Sequence, residues 1–581
     1  MAKIETAASA GTEKKTSKAL IVQNDRSILL DVHSDTAEEA RRALAPFAEL
    51  EKSPEHVHTY RITPLSLWNA AGAGLDAQDI VSVLTEHSRY ELPQGIADGF
   101  SDTMSRYGKI VMAYNEADGQ PGGERLFLQI DDDAVNAEVG SYKVLEKYLE
   151  KEDGGYSLKL TDRGIVKREL IKKGWPVRDD APLVKGEDLE IKLRGESLRG
   201  LPFCARDYQI KAAESVVADG GPGTGYGVVV LPCGAGKTVV GMQVMSMLNT
   251  STLILTTNVV AVRQWQEELL DKTHLEKEQI AEYSGDSKAC APVTIATYQI
   301  ITWRADKEGD FPHFRLFRER AWGLIIYDEV HLLPAPVFRI TAELQAVRRL
   351  GLTATLVRED GAEDAVFSLV GPKRYDVLWK ELEAKGWIAQ AFCTEIRLDL
   401  PEPLKIPYAV AGQREKYRIA SENPLKEEIV LKLVQGRPDD QILVIGQYLG
   451  QLDSLAKLLD APLITGKTSN AQRESIYARF KSGELRVIVV SKVANFALDL
   501  PNASMAVQVS GSFGSRQEEA QRLGRILRPK ERPADFFSLV TRYTVEEGFA
   551  ANRRKFLTEQ GYKYSITHEA QFSVPAAGGG G

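Results

Sequence analysis

The sequence predicts an α/β protein in which two tandem parallel-sheet domains follow small α+β amino-terminal modules. Three observations carry this expectation. From Leu201 onward, short and very apolar runs alternate with helical stretches in two successive series. Strands buried on both faces look like this between the helices of βαβ units. The first run leads directly into a loop of small residues and then a helix, Leu231-Pro232-Cys233-Gly234-Ala235-Gly236-Lys237-Thr238. The length, 581 residues, exceeds what one core fills and suits about four domains.

Residues 1–18 read as a flexible tail, rich in Ala, Thr and Lys and without an apolar signal core. Residues 19–108 read as an α+β module. Leu20-Ile21-Val22 and the run Ile28 to Val32 are strand-like around the Asn24-Asp25 turn, and Thr36 starts a helix reaching Phe47. A second small module spans 109–195, with strands near Ile110–Ala113 and Leu126–Ile130 and a helix at Lys167–Lys173. His56 and His58 lie one residue apart, but no third ligand is near, which favours structural histidines over a metal pair. The first parallel-sheet domain, 196–375, takes its strands from Val228–Leu231, Leu253–Leu255, Val293–Ile295, Leu324–Tyr327 and Arg349–Leu352. The second, 376–565, takes them from Ile442–Ile445, Leu463–Ile464, Val487–Val490, Met505–Val509 and Phe536–Val540. Residues 566–581 end in four glycines and read as another flexible tail.

Composition excludes several classes. With 43% hydrophobic and 27% charged residues the chain is globular. Its four cysteines, Cys204, Cys233, Cys290 and Cys393, contain no CxxC pair, which argues against a disulfide scaffold, zinc or an iron–sulfur cluster. No run of 18 apolar residues occurs, so no membrane helix is expected and the expected compartment is cytoplasmic. A formal net charge of −8 by itself discourages a nucleic-acid partner. Residues 1–200 sum to −8, however, and residues 201–581 to zero, with +6 gathered in 471–564. The acidity, including Asp131-Asp132-Asp133, belongs to the amino-terminal modules.

The loop from Cys233 to Thr238 has the parts of a phosphate site. Gly234, Ala235 and Gly236 let backbone N–H groups face a phosphate, and a helix amino terminus stands behind them. Lys237 reaches the β/γ oxygens of ATP, and the Thr238 hydroxyl suits Mg2+. Leu231 stands where the strict pattern has Gly. Asp328-Glu329-Val330-His331 follows another buried strand, and such strand ends face the loop's crevice. Asp328 can hold the magnesium through water, and Glu329 can polarise the attacking water. Thr353-Ala354-Thr355, also after a strand, would report the nucleotide state to its neighbours. In the second domain, Gln521, Arg525 and Arg528 share one helix face. The two arginines could neutralise charge on the γ-phosphate from across a cleft. Together these features describe a two-lobed ATPase acting on nucleic acid.

LPCGAGKT, DEVH, TAT and QEEAQRLGRILR jointly resemble a superfamily 2 helicase with two RecA-like motor domains. Arg358-Glu359-Asp360, directly after GLTATLV, is similar to the RED motif of XPB-type (xeroderma pigmentosum group B) DNA helicases. Gly386-Trp387-Ile388-Ala389, Ser491-Lys492-Val493, Asp499-Leu500-Pro501 and Gly561-Tyr562 agree, and the likeness runs from Leu201 to Ser565. His58-Thr59-Tyr60-Arg61-Ile62-Thr63-Pro64-Leu65-Ser66-Leu67-Trp68 resembles the bacterial branch. The resemblance implies a DNA-dependent ATPase that moves 3′ to 5′ and unwinds or remodels duplex DNA in repair. It implies adenine recognition by Arg206 and Gln209, and a role for Arg358, Glu359 and Asp360 near the strand-separation point. It also places a damage-recognition module after Asp131, where the acidic run disfavours direct DNA contact, and a thumb insertion near 404–427. Ala494-Asn495 departs from the Gly-Asp of eukaryotic relatives.

A motor that steps along any sequence must grip phosphates. Asn258, Arg263 and Gln264, Thr297 and Tyr298, and Ser491 and Lys492 are expected at strand ends on a face away from ATP, while Trp265 and Trp303 suit core packing. The expected partner is DNA at a single-strand/duplex junction, with a nuclease or repair protein as a further partner. A duplex translocase without strand separation, or an ATP-gated scaffold recruiting a nuclease, remains the alternative.

Overall fold

Four sheets organise the chain. The computed structural model describes residues 18–44, 46–52, 56–114, 125–159, 162–181, 183, 185–218, 224–232, 234–306, 311–334, 337, 347–354, 363–377, 379–491, 503–511, 533–559, 562 and 564–574. The first sheet joins β1 (Leu20–Val22), β2 (Ser27–Asp31), β3 (Glu49–Lys52) and β4 (Val57–Arg61) in the antiparallel order β1-β2-β4-β3. Helix starts here are written locally. Thr63 caps Pro64–Gly72 through a capping box with proline at the first turn, and Asp76 caps Ala77–His87 through a capping box of its own. Leu30, Leu44, Leu67, Leu84 and Phe100 fill the core between helices and sheet.

His58 on β4 is buried in this module, and its Nδ1 has no hydrogen-bond partner among the described residues. Burial, with the Arg41 charge nearby, lowers its pKa to about 4. A folded pKa below the unfolded value means stability that is present above pH ~6.5 and lost as pH falls toward 4. At about 1.4 kcal/mol per unit, the module should lose about 3 kcal/mol across that window. His58→Phe should flatten the difference, as measured by thermal melts at pH 4.5 and 7.5.

The second sheet, β7-β8-β6-β5-β9, comprises β5 (Ile110–Tyr114), β6 (Arg125–Gln129), β7 (Glu150–Glu152), β8 (Gly155–Lys159) and β9 (Val177–Asp179). Its helices are Asp133–Gly140 and Arg163–Lys172, the second starting before the expected Lys167. Asp179 takes two hydrogen bonds from Arg163, at 2.9 and 2.7 Å, and one from Lys167 at 2.7 Å, all three groups being buried. Both modules dock on the next domain. Tyr226 donates to the Asp179 carbonyl at 2.9 Å, and Lys373 N donates to Asn69 Oδ1 at 2.9 Å. Trp68, Ile171 and Phe367, one from each unit, share a small apolar cluster.

The third sheet holds β10 (Tyr226–Val230), β11 (Thr252–Thr256), β12 (Ile280–Tyr283), β13 (Val293–Thr297), β14 (Leu324–Asp328), β15 (Arg348–Thr353) and β16 (Lys373–Asp376). Their order is β12-β13-β11-β14-β15-β10-β16, parallel throughout. The continuous apolar runs follow from double-sided burial. In β14, Leu324 and Ile326 enter one core cluster while Ile325 and Tyr327 enter the other. The fourth sheet repeats the plan with β17 (Ala391–Leu398), β18 (Ile442–Gly446), β19 (Leu463–Ile464), β20 (Val487–Ser491), β21 (Met505–Gln508), β22 (Ala534–Thr541) and β23 (Tyr564–His568). Its order is β19-β20-β18-β21-β22-β17-β23, again parallel. The architecture is that of two RecA-like domains behind small α+β modules.

Two expectations need correction. Each parallel sheet has two strands more than the five apolar runs read from the sequence: β12 and β16 in the first, β17 and β23 in the second. The expected tail at 566–581 starts too early. β23 continues to His568, Phe572 packs edge-on to Phe537 at 6.0 Å, and Val574 lies against Gly436. Near the expected insertion at 404–427, helices Glu402–Val410 and Gln413–Ser421 form a pair, with Ile406 and Val410 exposed.

Candidate functional site

Strand β10 ends in the phosphate loop because its five residues are buried and the glycines that follow break the strand. Gly234 (φ 81°) and Gly236 (φ 76°) take left-handed backbone, which only glycine adopts without cost. A Cβ on Gly236 would also come within 2.5 Å of Gln209 Nε2. The helix Lys237–Leu248 begins at the next residue, so its free N–H groups open onto the loop.

Beside the loop, β15 separates β10 from β14. Asp328 is the last residue of β14, and Glu329 follows with φ 51°, a left-handed conformation for a non-glycine residue. Such strain costs of order 1–3 kcal/mol and persists where the surroundings hold it. Lys237 Nζ lies 3.3 Å from Glu329 Oε1. Burial, together with the neighbouring Glu329 charge, pushes the Asp328 carboxyl up to about 6. His331 Nδ1 and Thr353 Oγ1 are 2.7 Å apart, and Leu231 N donates to the Thr353 carbonyl at 2.9 Å. Phosphate loop, acidic strand end and Thr353 are thus one bonded unit on three adjacent strands.

Arg206 and Gln209 sit where the loop can be read from behind. Gln209 Nε2 and Tyr208 Oη both donate to the Ala235 carbonyl, at 2.9 and 2.8 Å, and Gln209 Oε1 accepts from Arg206 N at 2.8 Å. The Arg206 guanidinium stacks over Trp387 at 4.4 Å and donates to its carbonyl at 3.3 Å. Neither Tyr208 nor Trp387 was singled out for this site in the sequence. An aromatic next to Gln209 and the GWIA segment were the available signals.

The expected nucleic-acid contacts divide. Arg263 and Gln264 are exposed, Arg263 pairing with Asp286 at 3.6 Å. Asn258 caps the helix Val259–Lys272, accepting from Ala261 N at 2.9 Å. Thr297 and Tyr298 are buried, not surface contacts: Thr297 caps the short helix Tyr298–Ile301, and Tyr298 Oη donates to the Asp328 carbonyl at 3.0 Å. Ser491 is buried at the end of β20. Asn258, Thr297 and Tyr298, on the sheet that carries the loop, also do not lie on a face away from it. In an all-parallel sheet every strand's carboxyl end shares one edge. The β13 tip is displaced sideways from β10 by four strand spacings, roughly 19 Å. Trp265 is buried as expected, yet its Nε1 donates to Asp328 Oδ2 at 3.0 Å, while Trp303 is half exposed. Cys233, Thr355, Arg358, Glu359, Asp360, Lys492, Gln521, Arg525 and Arg528 lie outside the described residues.

No described helix is long and apolar enough to cross a membrane. Three family models match the chain. ERCC3/RAD25/XPB C-terminal helicase matches residues 382–575, type III restriction enzyme, res subunit, matches 203–358, and helicase conserved C-terminal domain matches 20–152. The chain is 51% identical over 565 residues to the DNA 3′-5′ helicase XPB of Mycobacterium tuberculosis, covering 97% of this chain and 100% of that protein. It is 49% identical over 570 residues to the protein of the same name from Kineococcus radiotolerans, covering 97% and 99%. Among solved structures, the Pyrococcus furiosus Hef helicase domain aligns with a TM-score of 0.41 and 17% identity, over 60% of this chain and 98% of that chain. The likeness to the two bacterial proteins runs through the amino-terminal modules as well as both parallel-sheet domains. With about half its residues shared along nearly its whole length, the chain belongs to the XPB-type superfamily 2 DNA helicases, in their bacterial branch.

Proposed function

We propose that this helicase couples ATP hydrolysis to 3′–5′ movement on DNA, unwinding or remodelling duplexes in repair. The observation that carries this reading is the union of loop, acidic pair and Thr353, with Lys237 Nζ 3.3 Å from Glu329 Oε1.

Lys237 has two claimants, the Glu329 carboxylate and the β/γ-phosphate oxygens. Phosphate binding draws the ammonium toward the nucleotide. Glu329 is then left as the carboxylate that orients the attacking water and accepts its proton. The donor set fits magnesium: a Thr238 hydroxyl and an Asp328 carboxylate are hard oxygens, and two adjacent acids raise each other's need for a cation. Bound there by Thr238 and Asp328, Mg2+ would neutralise charge on the phosphates. Arg206 and Gln209 are assigned to the adenine, since Gln209 is held against the loop and Arg206 is held beside it on Trp387. Thr353 and Thr355 would pass the nucleotide state onward. Arg358, Glu359 and Asp360 are assigned to the strand-separation point. Arg525 and Arg528, with Gln521, would complete the site from the second domain when the lobes close. Alternate grip and release through Arg263, Gln264, Asn258 and Lys492 would then move the track.

A forked substrate with a 3′ tail should be opened at least tenfold faster than one with a 5′ tail, measured by release of a labelled strand. Displacement of a triplex strand, with neither fork opened, would replace this reading with the duplex translocase. Neither activity, with ATP binding intact, would favour the nuclease-recruiting scaffold.

A further inference from the structure

Two segments expected to grip DNA turn out to be bonded to the acidic strand end. Trp265 lies in the helix after β11, and Tyr298 lies directly after β13. The Trp265 indole N–H donates to Asp328 Oδ2 at 3.0 Å, and the Tyr298 hydroxyl donates to the Asp328 carbonyl at 3.0 Å. One bond holds the side chain and the other holds the backbone of the same residue. Both donors are buried. The indole is seated by Gly241, in the helix behind the phosphate loop, where a Cβ would come within 2.6 Å of Trp265 Cη2. A ring packed that closely moves only with its own helix.

Arg263 and Gln264 immediately precede Trp265 and are exposed. They are a cation and an amide suited to phosphate oxygens. A shift of this helix of about a few tenths of an ångström lengthens or shortens the indole–carboxylate bond.

We propose that Trp265 and Tyr298 are positioning residues for Asp328, and that a DNA backbone held at Arg263 and Gln264 acts through Trp265 to set the orientation of Asp328 and so stimulates ATP hydrolysis. The inference rests on the helicase reading above. The physical warrant is a direct path from Arg263 and Gln264 along their own helix to Trp265 and through one hydrogen bond to Asp328, with Tyr298 holding the same residue's backbone from the end of β13. DNA bound there can bias the carboxylate only insofar as it favours one placement of the helix over another.

The test uses the full chain and four variants: Trp265→Phe, which keeps a buried ring and removes the donor, Tyr298→Phe, Arg263→Ala, and Trp265→Phe combined with Arg263→Ala. ATP turnover is measured with and without single-stranded DNA, DNA affinity by fluorescence anisotropy, and binding of a fluorescent ATP analogue across a Mg2+ titration. Trp265→Phe should lower the stimulation ratio about tenfold, the scale of one charge-assisted hydrogen bond. It should move the Mg2+ midpoint upward and leave DNA affinity within about twofold of wild type. Tyr298→Phe should lower the ratio in the same direction. Adding Arg263→Ala to Trp265→Phe should lower the ratio no further, because both act on one path.

An unchanged ratio and Mg2+ midpoint in both aromatic variants, or additive losses in the double variant, overturn the proposal. Should Trp265→Phe not fold, Tyr298→Phe decides alone by its ratio. Absence of any DNA stimulation in the wild type would instead overturn the functional reading.

Discussion

Lys237→Ala is expected to abolish DNA-stimulated ATP hydrolysis, with turnover falling by about 10³-fold or more. The ammonium projects from the first residue of the helix behind the loop and faces Glu329 across 3.3 Å. Removing it takes away the cation that meets the phosphate oxygens, and takes the ammonium away from the Glu329 carboxylate beside the incoming nucleotide. Nucleotide affinity should therefore fall along with turnover. Glu329→Gln should behave differently. The amide keeps the shape and lacks the charge, so nucleotide binding persists while turnover drops by a similar factor, because position 329 no longer offers a carboxylate to take the proton of the attacking water. Single-turnover hydrolysis and fluorescent-nucleotide binding separate the two effects. Turnover near that of the wild type in either variant would remove the motor assignment.

Asp179→Ala should be the most damaging single change away from the nucleotide site, at about 3–5 kcal/mol. Asp179 holds two buried cations, Arg163 and Lys167, and its carbonyl accepts from Tyr226 of the first parallel sheet. Its loss leaves both cations in the interior without their carboxylate. The Arg349 guanidinium, also buried, stacks 5.0 Å over the Tyr226 ring. Damage therefore reaches β10 and β15 at the ends opposite Lys237 and Thr353. Denaturant unfolding should show the loss, and limited proteolysis should cut between residues 181 and 207 sooner than in wild type. Replacing Arg163, Lys167 and Asp179 together by apolar residues of similar volume should recover much of the stability, since removing all members avoids stranded charge. Recovery would separate a requirement for these charges from a requirement for packing.

The legible part of the fold was the part buried on both faces. β14 reads Leu-Ile-Ile-Tyr-Asp and β18 reads Ile-Leu-Val-Ile-Gly. Such runs occur because two layers of helices exclude water from every side chain. The strands that escaped notice are mostly at sheet edges: β12 (Ile-Ala-Glu-Tyr), β16 (Lys-Arg-Tyr-Asp) and β23 (Tyr-Ser-Ile-Thr-His). An edge strand needs fewer apolar residues, and charges there discourage pairing with other chains, so its pattern resembles a loop. Among the candidate site residues, those confined to one segment lie together as their segments predict: the loop's glycines, Lys237, Thr238, Asp328 and Glu329. Those whose partners come from distant strands were misplaced. Tyr298 had the look of a surface residue at a loop tip, and only β13 lying next to β11, itself next to β14, turns its hydroxyl toward Asp328.

The amino-acid sequence determined the chemistry of this helicase and its two-lobed plan, because glycine spacing, strand composition and acidic strand ends act over a few residues and need no partner. It also showed that the charge of −8 belongs to the first 200 residues. The tertiary structure alone decided the wiring. It placed the expected DNA contacts of the first lobe on the same sheet edge as the phosphate loop, buried Thr297, Tyr298 and Ser491, joined Trp265 to Asp328, and locked both acidic modules onto the first lobe. The reason is physical: strand order and buried polar contacts are set by cooperative packing of the whole chain, and no local pattern encodes which distant donor meets a given carboxylate.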